Sequence, residues 1–258
     1  MNNSRQEKKM IRLSSVTFKG EKITDWLAYF QYNEKHLLKL DFALSEKISK
    51  EEIRMIAPSV QAFQKGEGSD GSHLLKTVED YANKTGDIRY VKEMVYFIRE
   101  ENRHSATLKK FMDVYQIKPA VTCGLDGIFR MLRKSSGLKG EILVLVTAEM
   151  IALSYYTALS KAVSSELLGQ ICRQMLRDEL RHVLFQSERL GKIGLTEKDR
   201  HLRKLLMAAS ANAVWLKFGK VFERGGYSKT AYMSECMGYL KQSDRIAEEM
   251  QEKQEVQT

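Results

Sequence analysis

Two Glu-x-x-His pairs carry the chemistry legible in this chain: Glu101-Asn102-Arg103-His104 and Glu179-Leu180-Arg181-His182. Residues three apart share a helix face, so each pair offers one ion a carboxylate oxygen and an imidazole nitrogen. Both pairs lie within apolar stripes, where an unpartnered charge is costly. Met94, Phe97, Ile98, Leu108, Phe111 and Met112 recur at helical spacing around the first. Leu168, Ile171, Met175, Leu176 and Val183 do so around the second. Metal is the simplest partner for carboxylates aimed at a core. The alternative, buried ion pairs with Arg103 and Arg181, is disfavoured because those neighbours point to other faces.

Two further carboxylates follow from the same logic. Glu149 is the sole charged residue in the apolar run from Ile142 to Ser160. Glu67 falls in a helical stripe with Val60, Phe63, Leu74, Leu75 and Val78, and Asp70 is its main substitute. Gly66 and Gly68 flank Glu67, each disfavouring helix by about 1 kcal/mol relative to Ala while permitting close approach of another backbone or a ligand. Tyr156 has two readings: a redox or hydrogen-bonding group facing the metal, or core packing. His36, His73 and His201 lack ligand spacing.

The elements that must position these residues are four helices in two hairpins. The midpoint between Glu67 and Glu101 falls at Lys84, inside the stop-and-start signal Asn83-Lys84-Thr85-Gly86-Asp87. The midpoint between Glu149 and Glu179 falls at Ser164, where Ser164-Ser165 reads as a turn and cap. Each helix rises about 1.5 Å per residue, so residues equidistant from a turn lie level in an antiparallel hairpin. The spacing predicts helices over 58–83 and 87–113, with Glu67 level with Glu101. From Asp113 to Gly140 the chain carries Pro119, Gly124, Gly127, Gly137 and Gly140, and a short amphipathic piece from Ile128 to Arg133. That composition predicts one long crossover between the hairpins.

One Glu from each of two helices, and a Glu-x-x-His from each of the other two, is the ligand pattern of ferritin-like di-iron proteins. The order Glu67, Glu101/His104, Glu149, Glu179/His182 resembles it over roughly residues 58–190. The segments Glu100-Glu101-Asn102-Arg103-His104 and Asp178-Glu179-Leu180-Arg181-His182 are similar to motifs of soluble acyl-carrier-protein desaturases. The resemblance implies an all-α, ferritin-like four-helix bundle with bridging Glu101 and Glu179, capping His104 and His182, and terminal Glu67 and Glu149. Asp178 and Arg181 would orient the histidines from outside the ligand set. Arylamine N-oxygenases of this superfamily carry an extra His where this chain has Met175. Rubrerythrins bring a cysteine-rich iron domain that is missing here.

Composition sets the frame. The chain has 258 residues, 43% hydrophobic residues and only 2 prolines. These values suit one all-α domain spanning residues 1–258. Cys123, Cys172 and Cys236 form no C-x-x-C, which argues for a reducing, cytoplasmic setting and against a disulfide scaffold. The N-terminal segment lacks the apolar stretch of roughly 7–15 residues expected of a signal peptide. The run from Ile142 approaches membrane-span length, but Glu149 inside it favours a core helix over a membrane segment. Around the core, a flanking helix or lid is predicted over 22–40, with Trp26, Leu27, Phe30, Leu37 and Leu38 on its stripe. Two more helices are predicted over 197–250, broken at Gly225-Gly226, the first carrying Leu205, Leu206, Ala209, Ala213, Leu216 and Phe218. These additions wall off the bundle, shape a pocket or form a homodimer interface, and the last residues are expected to fray. The net charge is +9. Its densest cluster, Lys198, Arg200, Arg203 and Lys204, is interleaved with Glu197 and Asp199 and reads as a solvated face rather than a nucleic-acid surface.

The resemblance implies two Fe ions with O2 as co-substrate, oxidising a small-molecule or acyl substrate by hydroxylation, desaturation or a related step. Ligand type leaves Mn/Fe and di-Mn equally open. The alternatives are a ferroxidase, peroxidase or iron-handling protein without an organic substrate, and a non-catalytic metal- or acyl-binding helical module.

Overall fold

The computed structural model describes residues 10–43, 48–68, 71–120 and 137–256. The fold is an all-α helical bundle. Its helices are α1 (Trp26–Lys35), α2 (Lys50–Glu67), α3 (Ser72–Thr85), α4 (Ile88–Val114), α5 (Gly137–Ala162), α6 (Glu166–Ile193), α7 (Glu197–Arg224) and α8 (Lys229–Glu255). Among the described residues the only β pairing is an isolated bridge between Phe18 and Glu21. The expected crossover, with its amphipathic piece and Cys123, and the substitute ligand Asp70 lie largely or wholly outside the described residues.

Local signals set most boundaries. Ser165 caps α6 by accepting from the Leu168 N–H, and Gly86 ends α3 with φ +81°, a left-handed turn that costs glycine nothing. Both expected hairpin turns are therefore where the midpoints place them. The first helix differs from expectation. Instead of one helix over 58–83 there are two. α2 starts at Lys50 behind a Ser49–Glu52 capping box, carries Pro58 inside it and ends at Glu67. Gly71, with φ +64°, caps α3, and a Cβ there would sit 2.7 Å from Ile98 Cγ2. Glycine content outweighs the apolar stripe at this break.

α5 is the central element, packed against α3, α6, α7 and α8. It is long and apolar enough to cross a membrane, yet 83% of its most apolar window is buried within the bundle, so neighbouring helices cover that surface. α1 is shorter than predicted. It buries Trp26, Tyr29, Phe30 and Asn33, while Leu37 and Leu38 fall beyond its end and are exposed. α7 and α8 break at Gly225-Gly226 as expected, but of the stripe expected on α7 only Phe218 is buried. Leu205 and Leu216 are 62% and 73% exposed, and the inward face is Arg203, Met207, Ser210, Ala211, Val214 and Phe218. Buried Arg203 decides the rotation: its guanidinium pairs with Asp244 and bonds the Ser243 hydroxyl at 2.7 Å, satisfying a charge that could not otherwise be buried. Arg203 is thus no part of a solvated basic face. α8 continues as helix to Glu255, into the segment expected to fray.

Candidate metal centre

α4 and α6 bring the two Glu-x-x-His pairs face to face. One donor atom from each of Glu101, His104, Glu179 and His182 lies within 4.8 Å of all the others. His104 Nδ1 is 3.6 Å from Glu101 Oε1 and 3.4 Å from Glu179 Oε1. His182 Nδ1 is 3.0 Å from Glu101 Oε1 and 3.5 Å from Glu179 Oε2. Glu101 and Glu179 thus lie between two imidazoles whose ring centroids are 5.5 Å apart. The other two carboxylates flank them. Glu67 Oε2 lies 4.0 Å from His104 Nδ1, and Glu149 Oε2 lies 3.8 Å from His182 Nδ1. All six sequence-predicted residues converge, each imidazole having its own outer carboxylate.

The outward nitrogens are tied down crosswise. His104 Nε2, on α4, is 3.1 Å from Asp178 Oδ2 on α6. His182 Nε2, on α6, is 2.9 Å from Glu100 Oε2 on α4. The residue before each site glutamate therefore holds the histidine of the opposite helix. With the proton on Nε2, the Nδ1 lone pair faces the carboxylate cluster. Asp178 orients a histidine as expected, but Arg181 does not. Its guanidinium donates to Thr17 O and Arg177 O and lies over the Tyr29 ring. Glu100, within the first motif, has a role that the spacing of the ligand residues does not single out.

Buried orphan atoms test whether metal fits. His104 Nδ1, His182 Nδ1, Glu101 Oε1 and both Glu179 oxygens are buried without a hydrogen-bond partner. Native interiors leave few such atoms, and here they converge from two helices on one space. Imidazole nitrogen with carboxylate oxygen is a donor set suited to Fe, Mn or Zn. The residues fit a pair of divalent ions.

Electrostatics point the same way. Burial, with the Glu101 and Glu179 charges beside them, pushes the Glu67 and Glu149 carboxyls well above the ordinary range. Burial opposes charging His104 and His182, but their carboxylate neighbours win and raise both well above an ordinary histidine. Burial likewise works against Asp178, yet bonding to His104, the imidazole charges and Asn33 hold it down at about 2. Glu179 is lowered for similar reasons, by Glu149, His104 and His182. Without metal, protons supply the positive charge this acidic cluster requires.

Tyr156 reaches the site through Glu67: its hydroxyl donates to Glu67 Oε1 at 2.7 Å. Neighbouring Tyr155 instead donates to Ser59 and stacks on Phe63 with centroids 3.6 Å apart. Gly68, just past Glu67, packs where a Cβ would come 2.7 Å from Ser105 Oγ, the close approach its small size allows. His36, His73 and His201 lie away from the cluster; His73 pairs with Glu141 at 2.9 Å.

No family model, no curated protein and no solved structure matches this chain.

Proposed function

We propose that the chain is a ferritin-like di-metal carboxylate oxidoreductase that uses O2 to oxidise an organic substrate. One observation carries the reading: two buried imidazoles, each anchored at Nε2, turn unpaired Nδ1 atoms onto one carboxylate cluster. Five buried atoms without a hydrogen bond, converging on one space, favour metal ligands over a structural ion-pair network. In the proposed site, His104 and Glu67 would hold one ion and His182 and Glu149 the other, with Glu101 and Glu179 available to both. When bound in the reduced state, an Fe pair supplies the electrons that activate O2.

The chain's own part is positioning and exclusion of water. Glu179 and His182 are fully buried, whereas the Glu101 and Glu67 side chains retain 12% and 9% exposure. Solvent and small molecules therefore approach from the Glu67/Glu101 side. Glu67 is the last residue of α2, whereas the other site residues stand inside helices. Tyr156 steadies it and holds a proton on its hydroxyl beside Glu67 Oε1. Asp178 and Glu100 keep each imidazole in the tautomer that leaves Nδ1 free.

Anaerobic Fe(II) titration followed by O2 exposure tests the proposal. Two Fe(II) per chain and stoichiometric O2 uptake are expected. Metal binding without O2 uptake would remove the oxidase reading, and continued turnover of added Fe(II) into a ferric mineral would favour iron handling.

A further inference from the structure

Glu100 and Asp178, the two carboxylates that hold the histidines, meet at one neutral side chain from outside the four site helices. Asn33 of α1 is fully buried. Its Nδ2 donates to Glu100 Oε1 at 2.6 Å and to Asp178 Oδ1 at 3.0 Å. Its Oδ1 accepts from Arg177 Nη2 at 2.6 Å. That last bond settles which way the amide faces. The reverse orientation would aim its oxygen at two carboxylates and its NH2 at a guanidinium.

Each Asn33 hydrogen is thus committed to a different carboxylate, and each carboxylate to a different imidazole. The other neighbours act unequally on the two. Gln174 donates only to Asp178, at 2.7 Å. Arg103, partly exposed, pairs with both but unequally, its Nη2 3.2 Å from Glu100 and 3.9 Å from Asp178. Asn33 is symmetric where these are not.

We infer that Asn33 is a positioning residue for both metal positions, locking the two imidazoles at once by splitting one amide between Glu100 and Asp178. The inference rests on the di-metal reading. A carboxylate that accepts a hydrogen bond loses freedom to rotate and is a weaker base toward its imidazole, so one amide sets the orientation and donor strength of both histidines. Through Arg177, which also donates to His36 O at 3.2 Å, the same amide ties the C-terminal end of α1 to the site.

Co(II) titration of the full-length chain tests this, read by calorimetry and by the Co(II) ligand-field spectrum. Glu100→Gln is expected to weaken chiefly the ion served by His182, and Asp178→Asn the ion served by His104. Asn33→Leu is expected to weaken both, by roughly tenfold each, the lower end for loss of an outer hydrogen-bond partner, and to shift both ligand-field envelopes. In the Glu100→Gln/Asp178→Asn background it should add less than about twofold, because its acceptors are altered. Asp25→Ala is the control for undocking α1. It removes the N-cap bond to Ala28 and the Arg89 pair at the far end, and should lower the melting temperature with both affinities intact. If Asn33→Leu does not fold, Asn33→Asp keeps the shape without the two donor hydrogens and reads the same quantities. An Asn33 variant that affects neither ion or only one, or that Asp25→Ala reproduces, overturns the inference. A wild-type chain binding fewer than two Co(II) instead overturns the di-metal reading itself.

Discussion

Saturating the metal-free chain with Zn(II) or Co(II) is expected to raise its melting temperature by about 10–20 °C. Under the proposed di-metal reading the count is two, one ion for each imidazole anchored at Nε2 with Nδ1 turned to the carboxylates. At free metal about 100-fold above each dissociation constant, one site stabilises the folded chain by about 2.7 kcal/mol, so two independent sites give about 5 kcal/mol. A chain of this length gains about 2–4 °C per kcal/mol. Differential scanning calorimetry with and without chelator measures the rise, and elemental analysis of dialysed protein gives the stoichiometry. Glu101→Ala or Glu179→Ala should abolish most of the rise, since each carboxylate lies between both imidazoles. His104→Ala or His182→Ala should leave about half of it and sub-stoichiometric metal. A shift under about 2 °C at saturation, or two ions retained by Glu179→Ala, would refute the argument that these orphaned atoms are ligands.

Further outcomes follow from the same geometry. Glu67→Gln should keep the fold, because an amide fills the same space, yet lower metal content or stall O2 uptake; full metal and unchanged uptake would take Glu67 out of the site. Tyr156→Phe removes the hydroxyl bonded to Glu67 and should cost about 1 kcal/mol, roughly fivefold, in affinity for the ion beside His104, with the melting temperature of the metal-free chain nearly unchanged. For pH, the raised groups His104, His182, Glu67 and Glu149 contribute stability that is full below their unfolded values of 6.5 and 4.5 and is lost as pH climbs through the folded ones. Asp178 and Glu179 act oppositely, their contributions lost only in acid. The metal-free chain should therefore melt lower at about pH 9 than at about pH 5.5, while metal affinity rises with pH because binding releases protons; a flat profile in chelator contradicts the proton-for-metal picture. Gly225→Ala puts a methyl against the Ala158 backbone, with its Cα 2.6 Å away, and should destabilise by about 2–3 kcal/mol in chemical denaturation.

Much of the site could be read before any fold was known, because its residues break a rule that sequence makes visible. Glu101, His104, Glu149, Glu179 and His182 are ionisable groups at core positions, and periodicity alone places them on inward faces. The hairpin midpoints work because Gly86 and Ser165 carry turn and cap chemistry in their own side chains, or lack of one. The same rule would have found Asn33, which continues the Trp26–Phe30 stripe of α1 as a buried polar residue, had it been applied beyond charged groups. It also marks Glu100 and Asp178, each one residue before a site glutamate.

Other features belong to tertiary structure. Periodicity marks Leu205 and Leu216 as inward, but a helix with apolar residues around much of its surface has no single face until a neighbour chooses one. Arg203 turned α7 because its charge needed Asp244 and Ser243 on α8. The break after Glu67 joins local glycine chemistry to a steric fit at Ile98 and Ser105, contacts remote in sequence. The crosswise anchoring is the clearest case. His104 is held by a residue of α6 and His182 by a residue of α4, and one amide of α1 joins both. The residue types and their helix faces are properties of the chain alone. Which carboxylate meets which imidazole depends on how helices far apart in sequence pack, and hydrogen-bond partners at such separations are chosen only when the core closes.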